Sequence, residues 1–236
     1  MTRSSQAWYK HCIPAIQEAE CAERFSITFR TIDANHKRST IIVGDSNTND
    51  IAFGEGTGKL GAKYPGQRIK AAKIEHIDPA KCIGYQNIII TCGTNNLRCE
   101  YINNESDIRR TAVELCNKLT VLKQICPRAK IFVMPVLPSR IHAMNKNIGL
   151  FNILVDEMLA KQFPDIWFKG LYEFLDRQNL LDVNLARNGD SIHLGPKGLA
   201  KYVSILKRCI FQREKIEQYS SKQGSTYAKV GSPEPT

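Results

Sequence analysis

The sequence has no apolar run approaching the roughly 18 residues of a membrane-spanning helix. Its longest strand-like runs, around Ile88–Ile90 and Ile131–Leu137, are far shorter. The opening MTRSSQAWYKHC carries no apolar segment of the secretory-leader kind, so a cytoplasmic or nuclear protein is expected. No CxxC pair occurs among the eight cysteines. Cys82, Cys92, Cys116, Cys126 and Cys209 lie in apolar, regularly patterned segments and read as small hydrophobes rather than a disulfide framework. His11, Cys12, Cys21 and His36 fit no common zinc-ligand spacing, so no metal and no other cofactor is expected. Aromatic residues make up only 8% and do not interleave with basic ones, so Phe53, Tyr64 and Trp167 read as packing groups, not base-stacking platforms. There is no internal repeat, no sustained heptad in residues 1–38, and no CCHC knuckle or RNA-recognition motif. Acidic residues are in short supply, 23 against 33 Lys and Arg, for a net charge of +10. The excess is spread out: residues 1–40 hold six basic and four acidic groups, and residues 207–236 hold six and three. A dedicated basic arm is therefore not indicated.

What is present is a globular composition, 42% apolar over 236 residues, enough for one α/β domain with extensions. Residues 1–38 are mixed and polar, with a short helical pattern around Ile13–Arg24. The texture changes at Ser39, where Ser39–Val43 reads as a buried strand closed by Gly44. A glycine-rich stretch follows, with one short strand expected near Leu60–Lys63. Asn87–Thr91 and Lys130–Leu137 are further buried strands, and Ile166–Phe168 a short last one. Helical periodicity runs over Asp107–Ile125, capped by Asn104 or Ser106, then over Ile148–Leu159 and Gly195–Phe211. The expected division is an N-terminal extension over 1–38, a domain over 39–213, and a loose basic tail over 214–236. Short apolar strands alternating with amphipathic helices imply a parallel sheet covered on both faces, a three-layer α/β/α fold.

Sites on such sheets lie beyond the carboxyl ends of the strands. That rule selects Gly44-Asp45-Ser46-Asn47, Gly93-Thr94-Asn95-Asn96 and Pro138-Ser139 as one rim. Ser46, at a strand-to-helix turn, is a candidate nucleophile, but a serine hydroxyl needs a base. His193 is the candidate base, in Asp190-Ser191-Ile192-His193 just before the last helix. Asp190, three residues earlier, can accept a hydrogen bond from the imidazole and fix its tautomer. The Asn95 amide, with the Ser46 N–H, can face a developing oxyanion.

These segments together resemble the SGNH (GDSL) hydrolase superfamily over roughly residues 39–211. IIVGDSN (41–47) resembles the first block of that family, YPGQRI (64–69) the second, IIITCGTNN (88–96) the third and DSIHLGPKG (190–198) the last. The resemblance implies a catalytic triad of Ser46, Asp190 and His193. It also implies an oxyanion hole from the Ser46 and Gly66 N–H groups and the Asn95 side chain. Its fold would be a five-stranded parallel sheet in flavodoxin-like order, and its activity metal-independent hydrolysis of short-acyl esters on a lipid, sugar or other carrier. Two positions depart from the pattern: Asn47 stands where an apolar residue usually follows the serine, and Asn96 where aspartate is common. Both bear on substrate fit, and Arg140 and His142 lie on the same expected rim. A narrower resemblance, in PGQRI, CGTNNL and DSIHLGPKGLAKY, is to the esterase domain of first-open-reading-frame proteins of LINE-type retrotransposons.

A second class of function stays open. Lys59, Lys63, Arg68, Lys70 and Lys73 crowd the second block, and with the +10 charge they would suit nucleic acid or an anionic membrane surface. On that reading the domain binds and turns over little or no ester.

Overall fold

The computed structural model describes residues 40–54, 59–61, 65–166, 168 and 171–227, the last sixteen of these as backbone only. The helical pattern expected at Ile13–Arg24, the extension over 1–38 and the end of the tail over 228–236 lie outside the described residues.

Four parallel strands form one sheet in the order β2-β1-β3-β4: β1 (Thr40–Gly44), β2 (Gly66–Lys70), β3 (Asn87–Thr91) and β4 (Lys130–Val133). In the two central strands, TIIVG and NIIIT, every residue is buried, which is why both read as unbroken apolar runs rather than as alternating ones. Successive side chains point to opposite faces. Ile41, Val43, Ile88, Ile90, Ile131 and Val133 pack under helices α1 (Glu105–Ile125) and α2 (His142–Gln162), through Leu115, Leu119, Phe151 and Val155. Ile42, Ile89 and Phe132 face the other layer, where Tyr202, Val203, Leu206 and Ile210 of helix α3 (Pro196–Tyr227) cover them beside Phe174. The domain is thus three layers, with helices on both faces.

Asn104 caps α1 by accepting from the Asp107 N–H, and Pro196 occupies the first position of α3, where its missing N–H leaves no partner wanting. The last helix continues to Tyr227, past the Phe211 at which its apolar pattern ends. Cys82, Cys92, Cys116 and Cys126 are buried and outside any disulfide, and burial pushes the Cys82 thiol up to about 12.

Three expectations about strands need correction. The strand that pairs along β1, from Thr40↔Gly66 to Gly44↔Lys70, is Gly66–Lys70; of the short strand expected near Leu60–Lys63 only Leu60 and Gly61 are described, and they lie outside the sheet. β2 is the edge of this sheet, and Gly66, Gln67 and Lys70 are exposed, so its sequence lacks an apolar signature. β4 ends at Val133 rather than Leu137: Met134 makes the last bond to β3, to Ile90 O (2.9 Å), and the next N–H on that side, of Val136, donates to Asn152 Oδ1 (2.9 Å) instead. No fifth strand is present among the described residues. Ile166 lies in a bend and is buried in the core, and its apolar stretch is confined between Pro164 and Gly170. The observed order matches the first four places of the 2-1-3-4-5 arrangement.

Candidate active site

The strand order reverses at β1 and β3, the switch point where a crevice opens at the carboxyl ends of a parallel sheet. β1 ends on Gly44 because a side chain there has no room: a Cβ would sit 2.2 Å from Thr91 Oγ1 and 2.4 Å from Thr48 Oγ1. The chain then turns through a 3₁₀ segment, Ser46–Thr48, capped by Asp45. Asp45 Oδ1 accepts from the Asn47 N–H (3.0 Å) and Oδ2 from the Thr94 N–H (3.2 Å), which ties the turn after β1 to the turn after β3. Gly93, at φ 133°, makes that second turn in backbone geometry that disfavours side chains. Asp45 is buried, and burial raises its pKa against the pull of its bonds to Thr94 and Asn47.

Ser46 is only partly buried, and its Oγ lies 2.8 Å from His193 Nε2. The far ring nitrogen, Nδ1, is 2.7 Å from Asp190 Oδ2. Asp190 Oδ1 also accepts from the backbone N–H groups of Ile192 (2.7 Å) and His193 (2.9 Å). Burial acts to raise the Asp190 pKa, but these two N–H bonds and the imidazole outweigh it and hold the carboxyl down at about 2. Hydroxyl, imidazole and carboxylate are therefore linked in line, with the ring tautomer set by an ionised acid. Such a line lets the imidazole take the serine proton while the carboxylate stabilises the imidazolium.

Asn95, on the 3₁₀ turn Thr94–Leu97, is half-buried, and its Nδ2 donates to Ala72 O (2.8 Å). One of its two amide hydrogens is thus used in holding the end of β2. Gly66 is not brought to this site. It opens β2 beside Thr40, at the amino end of the sheet, and its five-residue strand puts it on the order of 13 Å from the Gly44 end. Its bare Cα serves packing: a Cβ would lie 1.8 Å from Thr40 O. The backbone that borders Asn95 from this side is Ala72, a residue without a sequence signal.

Three of the four rim residues expected to touch substrate have partners in the framework. Asn96 Oδ1 accepts from the Ile74 N–H and its Nδ2 donates to Glu75. Arg140 Nη1 donates to Leu181 O (2.7 Å) and stands 3.5 Å from Asp176 Oδ2. Asn47 is buried and accepts from the Leu194 N–H. His142 opens α2 and is exposed. Among the described residues no cluster of three His, Cys, Asp or Glu is placed to hold a metal ion, and His11, Cys12, Cys21 and His36 lie outside them. Among the same residues, no helix is long and apolar enough to cross a membrane.

The architecture is that of the GDSL lipases and acylhydrolases. A GDSL-like lipase from Bacteroides thetaiotaomicron superposes with a TM-score of 0.56 at 14% identity, over 84% of this chain and 97% of its own. A carbohydrate acetylesterase from Sinorhizobium meliloti gives 0.53 at 15% identity, over 75% and 99%. A lipase/acylhydrolase from Enterococcus faecalis gives 0.53 at 13%, over 75% and 96%. At these identities the likeness is one of fold. No protein-family model and no curated protein matches the sequence.

Proposed function

We propose that the protein is a serine esterase that hydrolyses short-acyl carboxylic esters, on a lipid, sugar or other carrier, through an acyl-enzyme. The observation that carries this reading is the line from Ser46 through His193 to Asp190, 2.8 and 2.7 Å. His193 takes the hydroxyl proton as Ser46 attacks the ester carbonyl, and Asp190 stabilises the imidazolium. The Ser46 N–H and the remaining amide hydrogen of Asn95 face the oxyanion, bordered by the Ala72 backbone. His193 then gives its proton to the leaving alcohol, and afterwards activates water to release the acid. No step calls on a cofactor. The acetylesterase and lipase neighbours support the acyl-ester class, and the LINE-like texture of the second, third and last blocks supports an origin in a mobile element.

The test is hydrolysis of p-nitrophenyl esters of increasing acyl length by wild type and Ser46→Ala. Wild type should favour the acetyl ester, and Ser46→Ala should fall to the background rate. Equal, slow hydrolysis by both would refute the enzyme reading. The +10 charge, with Arg68 and Lys70 on the edge strand, favours a second reading as a binder of nucleic acid or anionic membranes. A salt titration of RNA binding addresses it, because counterion release makes affinity fall steeply with salt.

A further inference from the structure

His193 sits on a loop rather than on a strand or helix, so its reach to Ser46 depends on what holds that loop. Much of the loop's bonding is internal: Arg187 N–H to His193 O, Asp190 N–H to Arg187 O and Gly195 N–H to Leu185 O. Those bonds give the loop its shape but do not fix it to the sheet. Beside the exposed Arg187–Asp50 ion pair (3.2 Å) and the Ser46–His193 contact itself, three bonds do that, and they come from both sides. The Ser191 carbonyl accepts from Ser139 Oγ (3.2 Å) and from the Arg140 N–H (2.8 Å), on the segment that follows β4. On the other side, the Leu194 N–H donates to Asn47 Oδ1 (3.3 Å), in the turn that carries Ser46 itself.

Both side chains are built for this contact. Ser139 is fully buried, and its hydroxyl also accepts from the Ile141 N–H (2.9 Å) while its own N–H is held by Asn145 Oδ1 (2.9 Å). Its hydrogen is therefore committed to Ser191. Asn47 is 7% exposed, its Oδ1 faces the Leu194 donor, and its side chain lines a small cavity. Asp45, Thr91, Thr94 and Tyr202 line it on one part and Pro135, Val136 and Leu137 on another, and within the protein Nδ2 has no hydrogen-bond partner. A buried amide group left without a protein partner is unfavourable, and an apolar residue of similar size would avoid it. Asn47 thus sacrifices stability at a position where its carbonyl oxygen does one visible thing: it joins the nucleophile's turn to the histidine's loop.

We propose that Asn47 and Ser139 are positioning residues that hold His193 in line with Ser46, one from the turn after β1 and one from the segment after β4. The proposal rests on the esterase reading given above, but its geometry can be tested separately. The decisive variant is Asn47→Leu, which removes the anchor and the orphaned amide together. Its thermal midpoint is expected to equal or exceed that of wild type. Its kcat is expected to fall about 10- to 100-fold with KM nearly unchanged, since a misplaced base slows chemistry more than binding. In proton NMR the Nδ1 ring proton of His193, sheltered by Asp190 in wild type, should broaden through faster exchange. Ser139→Ala should broaden the same signal.

Wild-type kcat and an unchanged ring-proton signal in Asn47→Leu would overturn the proposal. So would a fall in kcat that only tracks a fall in thermal midpoint, which is the mark of a structural role. If wild type hydrolyses no ester, the ring proton alone decides. Its broadening in Asn47→Leu would uphold the clamp while the esterase reading fails; its persistence would overturn the clamp.

Discussion

Two carboxylates flank the candidate nucleophile, one in sequence and one in space, and they do opposite things. Asp45 precedes Ser46, is 1% exposed, and spends both oxygens on backbone N–H groups of Asn47 and Thr94. Asp190 lies far along the chain, remains about a quarter exposed, and accepts two backbone N–H groups and the imidazole. Burial raises the pKa of the first, while the second is drawn down to about 2 despite its partial burial. Adjacency to the serine is therefore no guide to the working acid. Asp45 fastens two strand-end turns together; Asp190 keeps a negative charge behind the ring that the proposed mechanism makes positive.

The largest expected effect follows from that division. Asp190→Asn keeps an oxygen for the two backbone donors but puts an amide against His193 Nδ1, so the ring loses its tautomer and its counter-charge. Turnover should drop by about 10⁴, a barrier rise of about 5 kcal/mol, far more than the carboxylate's contribution to stability accounts for. Steady-state kinetics on a short-acyl ester, with melting curves alongside, would check it; near-normal turnover would remove Asp190 from the mechanism.

Asp45→Ala should show the reverse pattern. It leaves the Asn47 and Thr94 N–H groups without acceptors in a buried region, at about 1–3 kcal/mol for each orphaned donor. Urea denaturation should register that loss, while turnover per fluorophosphonate-titratable serine falls far less than in Asp190→Asn. If Asp45→Ala proves as stable as wild type, its framework role is refuted.

The parts of this arrangement that were readable in the sequence are those where burial or steric limits choose the residue. Ile88–Ile90 could only be an interior strand, and Gly44 and Gly93 mark turns that exclude or disfavour a side chain. Ser46, Asp190 and His193 were readable because each falls just past a strand or just before a helix. β2 was not, because an edge strand is held by backbone bonds that any sequence can make, and GQRIK carries no apolar period. That put Gly66 at the expected site in place of Ala72, the residue that follows β2 and borders Asn95. Asn96 and Arg140 were placed as substrate contacts because a polar side chain on a rim loop looks the same whether it meets a ligand or a backbone group. Only the fold reveals that the Ile74 N–H and the Leu181 carbonyl lie within their reach. Ser139 was visible as a rim residue, yet nothing in its neighbourhood announces Ser191, fifty-two positions away.

The smallest effect is also the sharpest test of the two acids, because it has opposite signs. Asp190 has a folded pKa of about 2 against an ordinary value of 3.8, so between these limits the unfolded chain binds more protons than the native one. Its contribution to stability is complete above about pH 4 and is lost as the pH falls through 2. Asp45 is shifted upward, so just above 3.8 it is the native state that holds the extra proton. Its contribution grows as acid is added across that window and diminishes as the pH rises. Urea midpoints of wild type, Asp190→Asn and Asp45→Asn between pH 2 and 7 would separate the two. Relative to Asp190→Asn, wild type should lose ground below pH 4. Relative to Asp45→Asn, it should gain ground as the pH is lowered toward 4. Two slopes of the same sign would mean that the acids share one environment, and the division of labour between them would fall.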